Sequence, residues 1–262
     1  MEYSNSITLI KNKRGCYDLD TTKGCAHGVA NSPGGCYGEC YAFRSAARYG
    51  IDFSKTVLRY FGNYEHRLSI IKQVDRADMP FIRIGVTGDP SENWEHTLSI
   101  CHMVAVDTQL SLFPELKPRK RIVISTKHWH NLTDDQLTRM GDLCVNTSVS
   151  ALDNKRLLNN RLVQYNRLKN YCKSVLRIVS CDFNLKNRIG RKLDKIQRAL
   201  FDNENTLDTI LRVSANNKYV TSGIINTETK LFLGKLSLVS MFNKSTYFGA
   251  CSTCPEMCGI NM

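Results

Sequence analysis

From residue 81 to about residue 200, short apolar runs alternate with amphipathic stretches. Phe81-Ile82-Arg83-Ile84-Gly85-Val86 reads as a buried strand that runs into the polar turn 87–93. A helix is predicted next, from about Trp94 to Val106. Residues 121–127 form a second apolar strand ending in polar residues, and 133–140 a short helix with Thr133 as N-cap and two aspartates in its first turn. The cycle repeats with a strand over 143–150 and a helix over 153–171. A strand over 174–181 and a basic helix near 194–201 follow. Residues 209–213 and 230–236 are weaker strand candidates. Strands and helices alternating at this spacing imply parallel βαβ units. The count fits an α/β fold with a full or partial (β/α) barrel, which would gather polar residues at the carboxyl ends of its strands.

The first forty residues differ. They are loop-rich, with five glycines from Gly24 to Gly38 and one short candidate strand at 7–10. Helices are predicted at 41–49, ended by Gly50, and at 63–74. The expected organisation is one barrel domain over 1–239 and a Cys-rich extension over 240–262.

A chain of 262 residues, 42% hydrophobic, can bury a full core. No run approaches the roughly 18 apolar residues of a membrane span. The first residues lack the basic-then-apolar pattern of a signal peptide. A cytoplasmic, reducing location without membrane contact is therefore expected, where clustered cysteines act as ligands rather than disulfides. The net charge of +12 favours an anionic partner such as a nucleotide or nucleic acid. Basic residues concentrate at 117–121 and between 186 and 198, and a solvated basic surface accounts for them equally well.

Chemistry is signalled most strongly by cysteine. Four of the eleven, Cys16, Cys25, Cys36 and Cys40, lie in the first forty residues, and Cys251, Cys254 and Cys258 close the chain. Thiolates this dense on Gly-rich loops suit one soft metal centre per group. Cys36 and Cys40 can reach one [4Fe–4S] cluster from a short loop, with Cys25 the best third ligand and Cys16 its competitor. Three thiolates would leave one iron open. Zinc on the same thiolates is the competing reading, unligated buried cysteines a third. The tail group suits a second [4Fe–4S] cluster or zinc, with Cys16, another loop cysteine or substrate as the fourth ligand. Cys101, Cys144, Cys172 and Cys181 read as small buried hydrophobes. The six histidines show no metal-binding spacing; His128 and His130, flanking Trp129 after a strand, suit the mouth of a site but read more readily as an exposed loop pair. Phosphate-loop and nucleophile-elbow motifs are absent.

The sequence Cys36-Tyr-Gly-Glu-Cys40-Tyr-Ala, with a cysteine upstream, resembles the phage gene-product-88 family, whose members resemble radical S-adenosyl-L-methionine (SAM) proteins. Residues 81–89, Ile124-Ser125-Thr126-Lys127 and the Cys-rich tail resemble further parts of that family. The usual Cys-x3-Cys-x2-Cys signature is absent, with ten residues between Cys25 and Cys36. The resemblance implies a [4Fe–4S] cluster on Cys25, Cys36 and Cys40, whose open iron chelates SAM. Reductive cleavage of SAM, fed by a donor such as flavodoxin or ferredoxin, would start radical chemistry on the substrate. Gly85, Thr87, Gly88 and Asp89 would face the SAM amino group, although Asp89 and Ser91 also suit an ordinary helix cap. Ser125, Lys127, Asn146, Ser148 and Ser150 would line the site. Arg177 would meet the SAM carboxylate, or else pair with an acid such as Asp182. Phage relatives make DNA hypermodification in the host cytoplasm the expected setting. The alternative is a non-catalytic zinc or iron–sulfur protein that binds nucleic acid.

Overall fold

A computed structural model describes residues 4–28, 35–37, 40–107, 120–179, 181, 183–202, 227–232, 235–240, 245–246, 251, 254 and 257–261. The candidate strand at 209–213, the basic residues 117–119 and Asp182 lie outside them.

Ordered by sequence, the elements begin with the short strands β1 (Ile10–Lys11), β2 (Tyr17–Asp18) and β3 (Thr22–Lys23), then α1 (Tyr41–Arg48), β4 (Val57–Leu58) and α2 (Tyr64–Arg76). The alternating part follows as β5 (Phe81–Ile84), α3 (Trp94–Asp107), β6 (Arg121–Thr126), α4 (Asp134–Thr138), β7 (Cys144–Val149), α5 (Lys155–Leu168), β8 (Lys173–Ile178) and α6 (Arg188–Asp202). Three strands, β9 (Thr227–Phe232), β10 (Lys235–Ser240) and β11 (Ser245–Thr246), pair antiparallel with one another. The expected strand at 230–236 thus divides between β9 and β10.

The central sheet has six strands in the order β1-β2-β5-β6-β7-β8. Only the β1–β2 pair is antiparallel. Each parallel strand lies beside its predecessor in the sheet, as crossovers wound in one direction produce. The fold is therefore mixed α/β around a mostly parallel sheet.

Helix starts follow local chemistry. The Thr133 hydroxyl accepts from the Gln136 amide while the Gln136 side chain returns to the Thr133 amide, a capping box that starts α4. Asn63 caps α2 and Asn154 caps α5 through their side-chain oxygens.

The register sorts the sheet into two faces, because partners in adjacent strands point the same way. Ile82, Ile84, Ile122, Ile124 and Val145 pack against Ile70 and Val74 of α2, Leu98 and Val104 of α3, Leu137 of α4 and Leu168 of α5. Burying each such aliphatic side chain contributes about 1.5–3 kcal/mol. The other face carries Asp18, Arg83, Val123 and Cys144 in one row, with Ser125, Asn146, Ser148 and Arg177 further along. At its N-terminal end this face is filled by Cys16, Met79, Phe81, Val123, Cys144, Val175, Cys251 and Cys258. At its C-terminal end it opens into a cavity.

Candidate functional site

The cavity at the strand ends is lined by Cys25, Cys36 and Cys40, by Gly85, Gly88 and Asp89 after β5, by Ser125 and Lys127 of the β6 end, and by Ser148 and Ser150 of the β7 end. Trp129 and Cys181 complete its walls with several apolar residues. Three N-terminal cysteines and the polar strand ends named from sequence therefore meet in one place. Thr87, Asn146 and Arg177 are not among the lining residues. Cys181 is, and its sequence environment gave no sign of it.

The turn after β5 is held by a residue that sequence reasoning missed. The buried Asp20 carboxylate accepts from the amides of Gly85 (3.0 Å), Val86 (2.8 Å) and Thr87 (2.9 Å), and from the Thr87 hydroxyl. Burial raises its carboxyl above the usual range, against the pull of those donors. Gly85 sits at φ +91°, and a side chain there would run into the Ser125 carbonyl oxygen. Only glycine lets β5 end this close to β6.

Asp89 performs the capping duty that its sequence position allowed. Its Oδ1 accepts from the Ser91 amide (3.0 Å), the Ser91 hydroxyl (2.7 Å) and the Thr126 hydroxyl (2.6 Å), and its Oδ2 from the Lys127 amide (2.7 Å). Four donors on two oxygens fix the β5 and β6 ends to each other.

Lys127 points its ammonium at the Ser150 hydroxyl (3.0 Å) and at Asp153 (3.3 Å). Asp153 also pairs with Arg161, and both side chains are almost fully buried. Arg161 donates from Nε to the Lys127 carbonyl (2.6 Å) and lies 4.8 Å from the Trp129 ring centre. This network forms one wall beneath the cavity.

The thiols differ in character. Cys40 is the N-cap residue of α1. The Cys36 thiol beside it, the first-turn amides of Phe43 and Ala42, and Arg44 lower its pKa to about 6 despite burial. Cys36 is shifted upward by the same contact and by burial. Burial pushes Cys25 up to about 12. The Cys25 carbonyl accepts the Tyr37 hydroxyl, and Tyr37 stacks on Phe43 at 4.7 Å.

Cys16 does not join this group. It lies at the opposite end of the face with Cys251 and Cys258, its pKa raised by the Cys251 contact and by burial. The tail bends sharply there, with Met257, Cys258 and Gly259 all at positive φ. The bend lets the Cys258 carbonyl accept from Asn146 Nδ2 (3.0 Å). Arg177 reaches the same asparagine from the other side, Nη1 to Oδ1 at 3.4 Å. Cys254 is buried, its amide bonded to the Cys251 carbonyl (3.1 Å). None of the eleven cysteines forms a disulfide.

His128 differs from the expected exposed loop pair. It is buried at φ +49°, with Nε2 bonded to the Thr147 hydroxyl at 2.9 Å, and burial lowers its pKa to about 4. His130 is exposed.

No family model, curated protein or solved structure matches this chain. Among the described residues, no helix is long and apolar enough to cross a membrane.

Proposed function

We propose that this chain is a radical SAM-type iron–sulfur enzyme acting on an anionic substrate, with a nucleotide or nucleic-acid base as the favoured class. The carrying observation is that Cys25, Cys36 and Cys40 face one cavity together with Gly85, Ser125, Lys127 and Ser148 at parallel strand ends. A partial (β/α) barrel belongs to the same proposal: strands follow in sequence order, and α2 to α5 pack on one face, leaving the other as an interior.

The donor set fits a [4Fe–4S] cluster: three thiols, one of them already favoured as thiolate, in a cavity partly walled by apolar side chains. When bound, the cluster and SAM supply one-electron chemistry at an unactivated C–H bond, fed by a flavodoxin- or ferredoxin-type donor. The protein's own part is positional. Cys40 offers a ready thiolate, whereas Cys25 must release its proton on ligation, which makes loading pH-dependent. Asp89 has both oxygens engaged, so the ammonium group of SAM is assigned to the backbone of the Gly85–Gly88 turn instead. Ser125 and Ser148 offer hydroxyls to a polar ligand, and Lys127, held by Asp153, supplies a fixed positive charge for an anionic one. DNA hypermodification rests on analogy with phage relatives.

The tail group supports a second centre, [4Fe–4S] or zinc, on Cys16, Cys251, Cys254 and Cys258. Their burial also favours the second reading, a zinc or iron–sulfur nucleic-acid-binding protein in which both groups are structural staples.

Anaerobic purification with iron and zinc quantified, then reduction with SAM, separates the readings. The enzyme predicts iron, 5′-deoxyadenosine formation, and loss of both cavity iron and SAM cleavage in Cys40→Ser with the fold retained. Zinc that is lost from Cys36→Ser/Cys40→Ser, with no cluster and no SAM cleavage, would favour the binding protein instead.

A further inference from the structure

Three residues that share no motif converge beside the cysteine cavity. His27 lies in the short turn Ala26–Gly28 that follows Cys25, Glu92 in the turn Pro90–Asn93 after β5, and His130 in the loop after β6. One ligand atom from each lies within 4.8 Å of the other two. His27 Nε2 is 3.2 Å from His130 Nε2 and 3.5 Å from Glu92 Oε2.

These separations match a coordination polyhedron. Zinc holds imidazole nitrogens at about 2.0–2.1 Å and carboxylate oxygens at about 2.0–2.2 Å, so adjacent donors of a tetrahedral site stand about 3.3–3.5 Å apart. A hydrogen bond between the two rings, with His27 also paired to Glu92, is the simpler account of these two distances, but it leaves Glu92 Oε1 without a hydrogen-bond partner. The Glu92 side chain is only 8% exposed, and its Oε1 has no hydrogen-bond partner, with the Cys25 thiol and the Thr56 hydroxyl as its neighbours. A carboxyl buried in this way either keeps its proton or takes a cation beside it, and the two imidazole nitrogens grouped with Glu92 are the donors such a cation would use.

The surroundings hold the donors in place. The His27 ring stacks on Trp129, centroids 5.2 Å apart and 16° from parallel. The Trp129 amide donates to the Ser91 hydroxyl (2.9 Å), and the His130 carbonyl accepts from the Trp94 indole (2.9 Å). The rings are thus positioned by contacts that leave both Nε2 atoms facing Glu92.

We infer that His27, Glu92 and His130 bind one divalent ion of the zinc class, tying the Cys25 loop to the turns after β5 and β6. Three protein ligands leave a fourth position for water. The site adjoins the cysteine cavity through Cys25 but uses none of the cysteines, and it stands whether or not the radical SAM reading does.

The test is zinc and iron quantified on the full chain, alongside cobalt(II) substitution, for the parent protein, His130→Gln, Glu92→Gln and Cys36→Ser/Cys40→Ser. His130 is exposed, so its replacement leaves the fold intact. The expected result is one zinc equivalent lost from His130→Gln and from Glu92→Gln, iron unchanged in both, and that equivalent retained in the double cysteine variant. The cobalt difference spectrum, parent minus His130→Gln, should lack the thiolate-to-cobalt charge-transfer band. Zinc content unchanged in His130→Gln would overturn the proposal. So would loss of the same equivalent in the double cysteine variant, or a thiolate band in the difference spectrum.

Discussion

Asp153→Asn should destabilise this protein more than Arg161→Met, although the two residues form one ion pair. The Asp153 side chain is fully buried, Arg161 is 1% exposed and Lys127 13%. Asp153 pairs with both cations and also accepts from the Ser150 amide (2.9 Å) and hydroxyl (3.1 Å). Asparagine keeps the shape but leaves two cations facing a neutral group. Breaking a buried pair from one side costs about 3–5 kcal/mol, much of it the unpaired charge left behind. Methionine at 161 leaves Asp153 its Lys127 partner and both Ser150 hydrogen bonds. It loses the bond to the Lys127 carbonyl and the Trp129 contact, about 2 kcal/mol together. Against a typical total of about 5–15 kcal/mol, urea unfolding at neutral pH resolves the two variants.

The pH dependence gives a second readout. Burial alone would raise the Asp153 carboxyl, but Lys127 and Arg161 more than reverse it, and its pKa lies below the usual range. A depressed folded-state pKa contributes stability above the unfolded value, near about 4, and loses it as pH falls through the folded value. The gap between parent and Asp153→Asn should therefore narrow below about pH 4. An Asp153→Asn protein as stable as Arg161→Met at neutral pH would refute this reasoning. So would a gap that does not shrink in acid.

Other outcomes follow from the same geometry. In metal-free protein, brief iodoacetamide treatment at neutral pH should label Cys40 well before Cys25, since their pKa values lie at about 6 and about 12; equal labelling by peptide mapping would contradict the helix-terminus argument. Gly85→Ala should lower the unfolding temperature, because φ +91° costs alanine about 1–3 kcal/mol before any displacement of Ser125 and Pro90; an unchanged melting curve would show that the turn yields freely.

Much of the framework was legible because periodicity reports burial. The apolar runs at 81–86, 121–127 and 143–150 became β5, β6 and β7 within a few residues, and Thr133 capped α4 as its spacing suggested. The polar ends of β5, β6 and β7 were legible as one neighbourhood because a parallel sheet brings successive strand ends together. What stayed hidden depends on contacts between distant segments. Asp20 is an ordinary acid in sequence, and only the approach of β5 makes it the anchor of residues 85–87. His27 and His130 are 103 positions apart, so no spacing rule connects them. His128 sits between two exposed-looking neighbours, yet its left-handed backbone turns it toward Thr147.

The open face of the sheet explains why two cysteine groups coexist in one small chain. One group sits at the C-terminal strand ends and the other at the N-terminal ends, with polar rows between them. Were the proposed centres loaded, their thiolates would place negative charge at both ends of this face, which burial would penalise without nearby cations. The chain supplies them from the strands themselves. Arg83, paired with Asp18 at 2.9 Å, is held above its ordinary range because Asp18, Cys16 and Cys258 more than offset the cost of its burial. Arg177 reaches Asn146, which holds the carbonyl of Cys258. Arginine inside a β-strand looks misplaced in a hydrophobicity profile. Here Arg83 stands as a fixed charge close to Cys16 and Cys258, which lie buried against Phe81, Val123 and Val175, and it would offset their charge on ligation.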